Sequence, residues 1–258
     1  TLDGAMRVFI TGASSGLGRA LAARYAAQGA TLGLVARRRV EPDEFASVAG
    51  DRHSIYAADV RDADALRRAA HDFIARHGCP DIVIANAGVS IGTLAERAED
   101  LEVLQEVMDI NLIGMANTFQ PFIACMRAAR QGCLAGIGST AAYRGLPGAG
   151  AYSASKAAAI TYLESMRVEL HGTGVRVTTV SPGYIATPMT AINTYRMPFI
   201  LDADKAARKI MRVIERRRRY SVIPWQMAIV ARVLRVLPDA LYDALFARAP
   251  RKRRRQQG

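Results

Sequence analysis

Residues 6–18 constrain the fold of this chain more than any other stretch. Met6 to Ile10 (M-R-V-F-I) is apolar enough for a buried strand, and Thr11-Gly-Ala-Ser-Ser-Gly-Leu-Gly18 follows at once. Arg19 to Gln28 then has helical spacing, with Leu21, Ala22 and Tyr25 as inward residues. Strand, glycine-rich turn and helix in this order form a dinucleotide site: the turn lets backbone approach a pyrophosphate, and the helix N-terminus attracts its charge. Gly12, Gly16 and Gly18 are spaced G-x-x-x-G-x-G, which differs from the more widespread G-x-G-x-x-G. A glycine loop by itself is equally a tight turn. Its position between a strand and a helix makes it specific.

The alternation continues along the chain. Further strands are expected at Thr31 to Ala36, Ser54 to Ala58, Ile82 to Ala85, Cys133 to Ser139, Arg176 to Ser181 and Ser221 to Pro224. Helices are expected between them, over about 63–77, 99–129, 151–172 and 203–218. This order argues an α/β fold, a Rossmann-type doubly wound parallel sheet in three α/β/α layers. Ligands of such a sheet bind beyond the carboxyl ends of its strands. Half of the residues are hydrophobic, enough for a substantial core, and no linker, repeat or low-complexity stretch divides the 258 residues. One catalytic domain is expected over 6–220, with a helical extension and basic tail over 221–258.

Proton-transfer chemistry is concentrated in Tyr152-Ser-Ala-Ser-Lys156, with Ser139 thirteen residues upstream. A tyrosine is a useful acid only if its pKa, near 10 when unperturbed, is brought toward neutrality. A lysine one helical turn later lies on the same face, and its charge favours the phenolate, so a lowered Tyr152 pKa is expected. A serine from a separate segment can hold a substrate oxygen beside the phenol. Y-x-x-x-K alone also describes an exposed pair on a helix. The glycine loop upstream decides between the two.

With both ends in view, the chain resembles the short-chain dehydrogenase/reductase family, in its compact single-domain branch, over about residues 6–220. The resemblance rests on Thr11-Gly-Ala-Ser-Ser-Gly-Leu-Gly18, Asp59-Val60, Asn86-Ala-Gly88, Asn111, Ser139, Tyr152-Ser-Ala-Ser-Lys156 and Pro182-Gly183, in the family's order and spacing. It implies hydride transfer between a nicotinamide and a carbonyl or secondary-alcohol carbon. Tyr152 would be the general acid/base, and Ser139 would orient and polarise the carbonyl oxygen. Lys156 would lower the tyrosine pKa and bind the nicotinamide ribose, and Asn111 would anchor a water-mediated proton relay. Cofactor contacts implied by the resemblance come from Gly12, Ser14, Ser15, Gly16, Leu17 and Gly18 in the loop and from Asp59 and Val60 at the adenine. Asn86, Ala87 and Gly88 would line the cleft, Tyr152 and Lys156 would meet the nicotinamide ribose, and Pro182, Gly183 and Thr187 the carboxamide. Plainer roles stand beside these: Asn86 as a turn residue joining strand ends, Asn111 as a helix-kink residue. Thr140 can share the role of Ser139, but the family spacing favours Ser139. The resemblance also implies a homo-oligomer.

The expected cofactor is NADP(H). An acidic residue about twenty positions after the glycine loop would bind the adenine ribose hydroxyls of NAD, but Leu34-Val-Ala-Arg-Arg-Arg39 places Ala36 there. Arg37 and Arg38 offer planar, always-charged partners for a 2′-phosphate. Arg39 fits a solvated basic turn better.

Substrate class is read from the segment after Gly183, where Ile185, Met189, Ile192, Tyr195, Met197, Phe199 and Ile200 stand among few charges. An apolar lid suits an apolar or lipid-like carbonyl or alcohol, and ordinary packing of the lid on the domain accounts for it equally well. Cys79, Cys125 and Cys133 have neither metal-ligand spacing nor a paired framework and are expected to be free thiols in a reducing compartment. No signal-peptide pattern appears, so a cytoplasmic location is expected, with the inner membrane face as an option.

The basic excess is confined to the C-terminus. Residues 205–258 hold sixteen Lys/Arg and three Asp/Glu, whereas the whole chain carries +12. Trp225 to Leu237 fits an amphipathic helix with Met227, Val230, Val233, Leu234 and Leu237 on one side, opposite Arg232 and Arg235. Pro238-Asp239 restarts a second helix with Leu241, Leu245 and Phe246 as its apolar residues. Such an extension can pack on its own domain or a sister subunit, closing the substrate pocket. It can instead lie in a membrane interface, although it is too interrupted to span one. Nucleic acid is the weakest reading, since few aromatics interleave the charge. A different class of function, a peripheral membrane-binding or regulatory protein using the dinucleotide site as a sensor, needs neither Tyr152 nor Lys156.

Overall fold

The computed structural model describes residues 5–37 and 53–255. Seven strands form one parallel sheet: β1 (Arg7–Thr11), β2 (Thr31–Ala36), β3 (His53–Ala57), β4 (Ile82–Ala85), β5 (Cys133–Ile137), β6 (Arg176–Pro182) and, after a small pair β7 (Ile185–Ala186) and β8 (Leu201–Asp202), β9 (Tyr220–Ile223). Their order is β3-β2-β1-β4-β5-β6-β9, so the direction of winding reverses beside β1. Register is set by pairs such as Val8 with Leu32 on one side and Val8 with Ile82 on the other. The last sheet strand, β9, pairs with β6 and crosses the boundary expected at residue 220.

Helices on both faces explain why the central strands are apolar without alternation. On one face Gly16–Ala27 and Ala203–Glu215 bury Leu21, Tyr25, Ile210 and Ile214 against Val8, Leu32 and Ile84. On the other, Ala63–His77, Gly114–Ala129 and Gly150–Glu169 bury Phe73, Phe119, Phe122 and Leu163 against Phe9, Val83 and Leu134. Phe9 anchors that second face, with ring centroids 4.7 Å from Phe122 and 5.5 Å from Phe73. Each such side chain contributes about 1.5–3 kcal/mol on burial.

Three expectations are corrected. The long helix expected over 99–129 is two helices, Asp100–Met108 and Gly114–Ala129, joined by a π-helical turn at Asp109–Ile113. Cys79 and Cys125 are not free thiols: they are joined in a disulfide. Cys79 follows the helix Ala63–His77, and Cys125 lies in a helix packed on that same face, which brings their Cα atoms to 5.9 Å. Cys133 is free and buried in β5. In the extension, helix Trp225–Val236 turns Met227 and Ala231 inward, while Val233 is half exposed. Among the described residues no helix is long and apolar enough to cross a membrane.

Candidate active site

Each strand of the sheet's middle delivers one piece of a single cleft of about 680 Å3 at its carboxyl edge. From β1 comes the glycine loop. Asn86, just beyond β4, donates from Nδ2 to the carbonyl oxygens of Thr11 (3.1 Å) and Gly12 (3.3 Å), tying the loop to the neighbouring strand. A Cβ on Gly18 would stand 2.1 Å from the Gly12 carbonyl oxygen, and one on Gly12 would stand 2.8 Å from Ala87 Cα. Gly12 also has φ 71°, a left-handed conformation that suits glycine. The loop therefore needs glycine at both positions. Gly12, Ser14, Ser15, Gly16 and Leu17 line the cleft, and helix Gly16–Ala27 starts there with no acidic residue in its first turn. Unpaired N–H groups at that terminus, with no competing carboxylate, fit the pyrophosphate of a dinucleotide.

The next strand ends supply the adenine side. Ala36 ends β2 and Arg37 follows it, and Asp59 and Val60 follow β3; all four line the cleft. Arg38 lies outside the described residues. Asp59 is held below its ordinary pKa, chiefly by the hydrogen bond from Arg61 at 2.7 Å, and Arg37 also acts on it. Ala87 and Gly88 continue the wall past Asn86. Pro182 and Gly183 at the end of β6 close the far side with Thr187, which caps the short helix Pro188–Ala191.

Ser139, Tyr152 and Lys156 meet at the inner end. Tyr152 and Lys156 share one face of helix Gly150–Glu169, as i, i+4 residues do. Ser139 follows β5, accepts a hydrogen bond from Ala141 N at 3.1 Å and lies beside the Tyr152 phenol. Thr140 begins the 3-10 turn that Ser139 caps. Lys156 is buried and donates from Nζ to the Ile137 carbonyl at 2.8 Å.

The expected lowering of the Tyr152 pKa is not found. Burial pushes the phenol above its ordinary value, opposed by the neighbouring Ser139 hydroxyl, and nearby Tyr184 adds to the rise. The Lys156 ammonium donates to the Ile137 carbonyl, and burial lowers its own pKa to about 8.

Asn111 does not line the cleft. It sits fully buried in the π-helical turn, a geometry frequent at functional sites. Its Oδ1 accepts from Val89 N at 2.8 Å, and its Nδ2 donates to Val89 O and Ser155 Oγ, both at 2.9 Å. Gly18 also stands behind the cleft wall, packed on Gly12.

Residues 6–196 match the family model described as short chain dehydrogenase. The chain belongs to the short-chain dehydrogenase/reductase family. The chain is 40% identical over 242 residues to an uncharacterized oxidoreductase of Myxococcus xanthus (strain DK1622), covering 93% of this chain and 95% of that one. It is 38% identical over 187 residues to 11-beta-hydroxysteroid dehydrogenase 1A of Arabidopsis thaliana, covering 71% of this chain and 53% of that protein's length. Among solved structures, a short chain dehydrogenase from Burkholderia cenocepacia J2315 in complex with NADP superposes with a TM-score of 0.80 at 26% identity, over 93% and 97% of the two chains. Another, from Mycobacterium paratuberculosis and bound to NAD, gives 0.72 at 28%, over 84% and 94%. This dehydrogenase/reductase is thus an oxidoreductase on a Rossmann-type fold.

Residues beyond the motifs also shape the site. Ser155 lies inside the Tyr152–Lys156 motif, yet its role as partner to Asn111 depends on a fold contact spanning 44 residues. The C-terminal extension folds back on the loop before Tyr152: Arg144 donates to the carbonyls of Leu234 and Leu237, and Tyr242 donates to the Gly145 carbonyl at 2.6 Å. Arg144 also lies over the Tyr242 ring, 4.3 Å from its centroid.

Proposed function

We propose that this protein transfers a hydride between NADP(H) and the carbonyl or secondary-alcohol carbon of a small molecule, with Tyr152 as general acid/base. The observation that carries the reading is the convergence of Ser139, Tyr152 and buried Lys156 at the inner end of the cleft the glycine loop opens. A nicotinamide dinucleotide bound in that cleft supplies or accepts the hydride. In the reducing direction Tyr152 gives its proton to the oxygen that was the carbonyl, and a phenol kept protonated by burial suits that step. The Ser139 hydroxyl orients the same oxygen. Lys156 holds the ribose, and Asn111 keeps the helix of Tyr152 and Lys156 in register with the β4 loop. Pro182, Gly183 and Thr187 hold the carboxamide edge.

Arg37 at the rim supports NADP over NAD, as does the NADP held by the Burkholderia protein, while the Mycobacterium protein holds NAD. An apolar body on the substrate is supported by the exposed Met189, Ile192, Phe199 and Ile200 of the lid segment and by the relative named as a hydroxysteroid dehydrogenase. The test is a titration with NADPH and, separately, NADH, read by nicotinamide fluorescence. NADPH is expected to bind tighter by about ten-fold or more, with the preference lost in Arg37→Ala. Preference for NADH would overturn the cofactor assignment, and binding of neither would overturn the enzyme.

A further inference from the structure

The basic tail returns to the active site and carries an ammonium with it. Residues 251–255 run beside the loop after β4, where Gly92 N–H donates to the Arg253 carbonyl at 3.1 Å and Gly92 bridges Arg254 in parallel. Two arginines anchor the segment. Arg254 forks onto both oxygens of buried Asp100, with Nε at 2.8 Å and Nη2 at 2.9 Å, and reaches Glu99 as well. Arg255 pairs with Glu106 at 2.7 Å. Lys252, just before them, turns the other way. It is nine-tenths buried, its Nζ lies 2.6 Å from Ser90 Oγ, and it stands 5.8 Å from the centroid of the Tyr152 ring.

Arg254 and Arg255 have carboxylate partners; among the described residues Lys252 has a serine hydroxyl and no carboxylate. A buried ammonium without a counter-ion is costly. The tail is clamped in a way that maintains this cost beside the phenol, when a solvent-facing lysine on an exposed tail would avoid it. Burial alone lowers its pKa, to about 8, so the ammonium stays largely charged at neutral pH, and an arriving anion favours that form.

We propose that Lys252 binds an anionic group of the substrate, a carboxylate carried within a few bonds of the carbonyl or alcohol on which Tyr152 acts. This rests on the hydride-transfer reading above and narrows it to hydroxy or oxo acids, with the lid meeting an aliphatic body. Ser90 holds the ammonium in place, and the Arg254–Asp100 clamp delivers it. The tail is therefore part of the substrate pocket, and Lys252 sets specificity for charge.

The experiment loads the full chain with NADPH, then titrates 3-hydroxyoctanoate and, separately, its methyl ester. Neither can exchange a hydride with the reduced cofactor, so nicotinamide fluorescence reports binding alone. The acid is expected to bind about ten-fold tighter than the ester or better. That preference disappears in Lys252→Met, which keeps the bulk, and survives in Lys252→Arg, which keeps the charge. Equal affinities in the wild type, an acid that does not bind, or a preference that survives in Lys252→Met each overturn the proposal while NADPH binding stands. A protein that does not bind NADPH at the first step removes the hydride-transfer reading itself, and the proposal with it.

Discussion

Asn111 donates from Nδ2 to Ser155 Oγ across 2.9 Å, and so joins a π-helical turn to the helix that carries Tyr152 and Lys156. The same amide satisfies both backbone groups of Val89, which lines the cleft next to Gly88. Three pieces of the site thus share one buried side chain. Asn111→Ala leaves the Val89 N–H and C=O without that partner in the interior, at a cost of about 3 kcal/mol. Activity is expected to fall about 100-fold, because small misplacements of reacting groups are that expensive. Thermal or urea unfolding beside steady-state kinetics checks both. A variant with wild-type stability and wild-type kcat would show that the amide is dispensable.

Under the proposed mechanism Tyr152→Phe removes the proton donated to the carbonyl oxygen while keeping the ring whose centroid lies 5.8 Å from Lys252 Nζ. A loss in kcat of about 100-fold to 10,000-fold is expected, in the range of lost general-acid catalysis. NADPH titration on the same preparation separates a chemical defect from a binding defect. Retained turnover would move the acid/base role to another group.

What local pattern can encode was readable. Helix Ala63–His77 begins and ends where the chain signals it, at the capping Asp62 and before Gly78. The cleft residues could be placed because the glycine loop, Asn86 and Pro182 each sit at a strand end. What escaped depends on pairs far apart in sequence. The π-helical turn at Asp109–Ile113 is a slip in hydrogen bonding that leaves the apolar spacing of 99–129 nearly unchanged. Cys79 and Cys125 meet only because two helices pack on one sheet face. The tail's destination had a signal, the acids Glu99, Asp100 and Glu106 opposite a run of arginines, but joining Arg254 to Asp100 requires a contact spanning 154 residues. The lowered tyrosine pKa was misread because the sequence shows that Lys156 is near the phenol, not how deeply the phenol is buried.

Burial gives Lys156 a pH signature. Its pKa falls from the usual 10.5 to about 8 in the folded chain. Between about pH 8 and 10.5 the unfolded lysine binds a proton that the folded one has lost, so this residue makes stability rise with pH across that window. Below pH 8 both forms are protonated and the burial penalty is fully felt. Subtracting the profile of Lys156→Met from that of the wild type isolates the contribution from tyrosines and Cys133, which titrate at the upper end. The difference in unfolding free energy should move in favour of the wild type from pH 8 to 10. A flat difference would mean that the folded lysine keeps its proton throughout.

Arg144 is the hinge pin between the domain and its C-terminal extension. It donates to the carbonyls of Leu234 and Leu237, at 3.4 and 3.0 Å, in the last turn of helix Trp225–Val236 and just after it. It also covers the Tyr242 ring and pairs with Asp239. The Asp239 pair adds little, because that carboxylate is 92% exposed and screened by water. The carbonyl bonds and the ring contact carry the clamp, together with the Tyr242 bond to Gly145. Arg144→Ala is expected to loosen the extension by roughly 2 kcal/mol while the sheet holds. Amide exchange over 225–246 should then accelerate about ten-fold or more, with the amides of Cys133–Ile137 unchanged. Because the tail leaves from the end of this extension, the preference for an anionic ligand should weaken in the same variant. Faster exchange with that preference intact would mean that the Arg254–Asp100 clamp positions Lys252 without help from the helices before it.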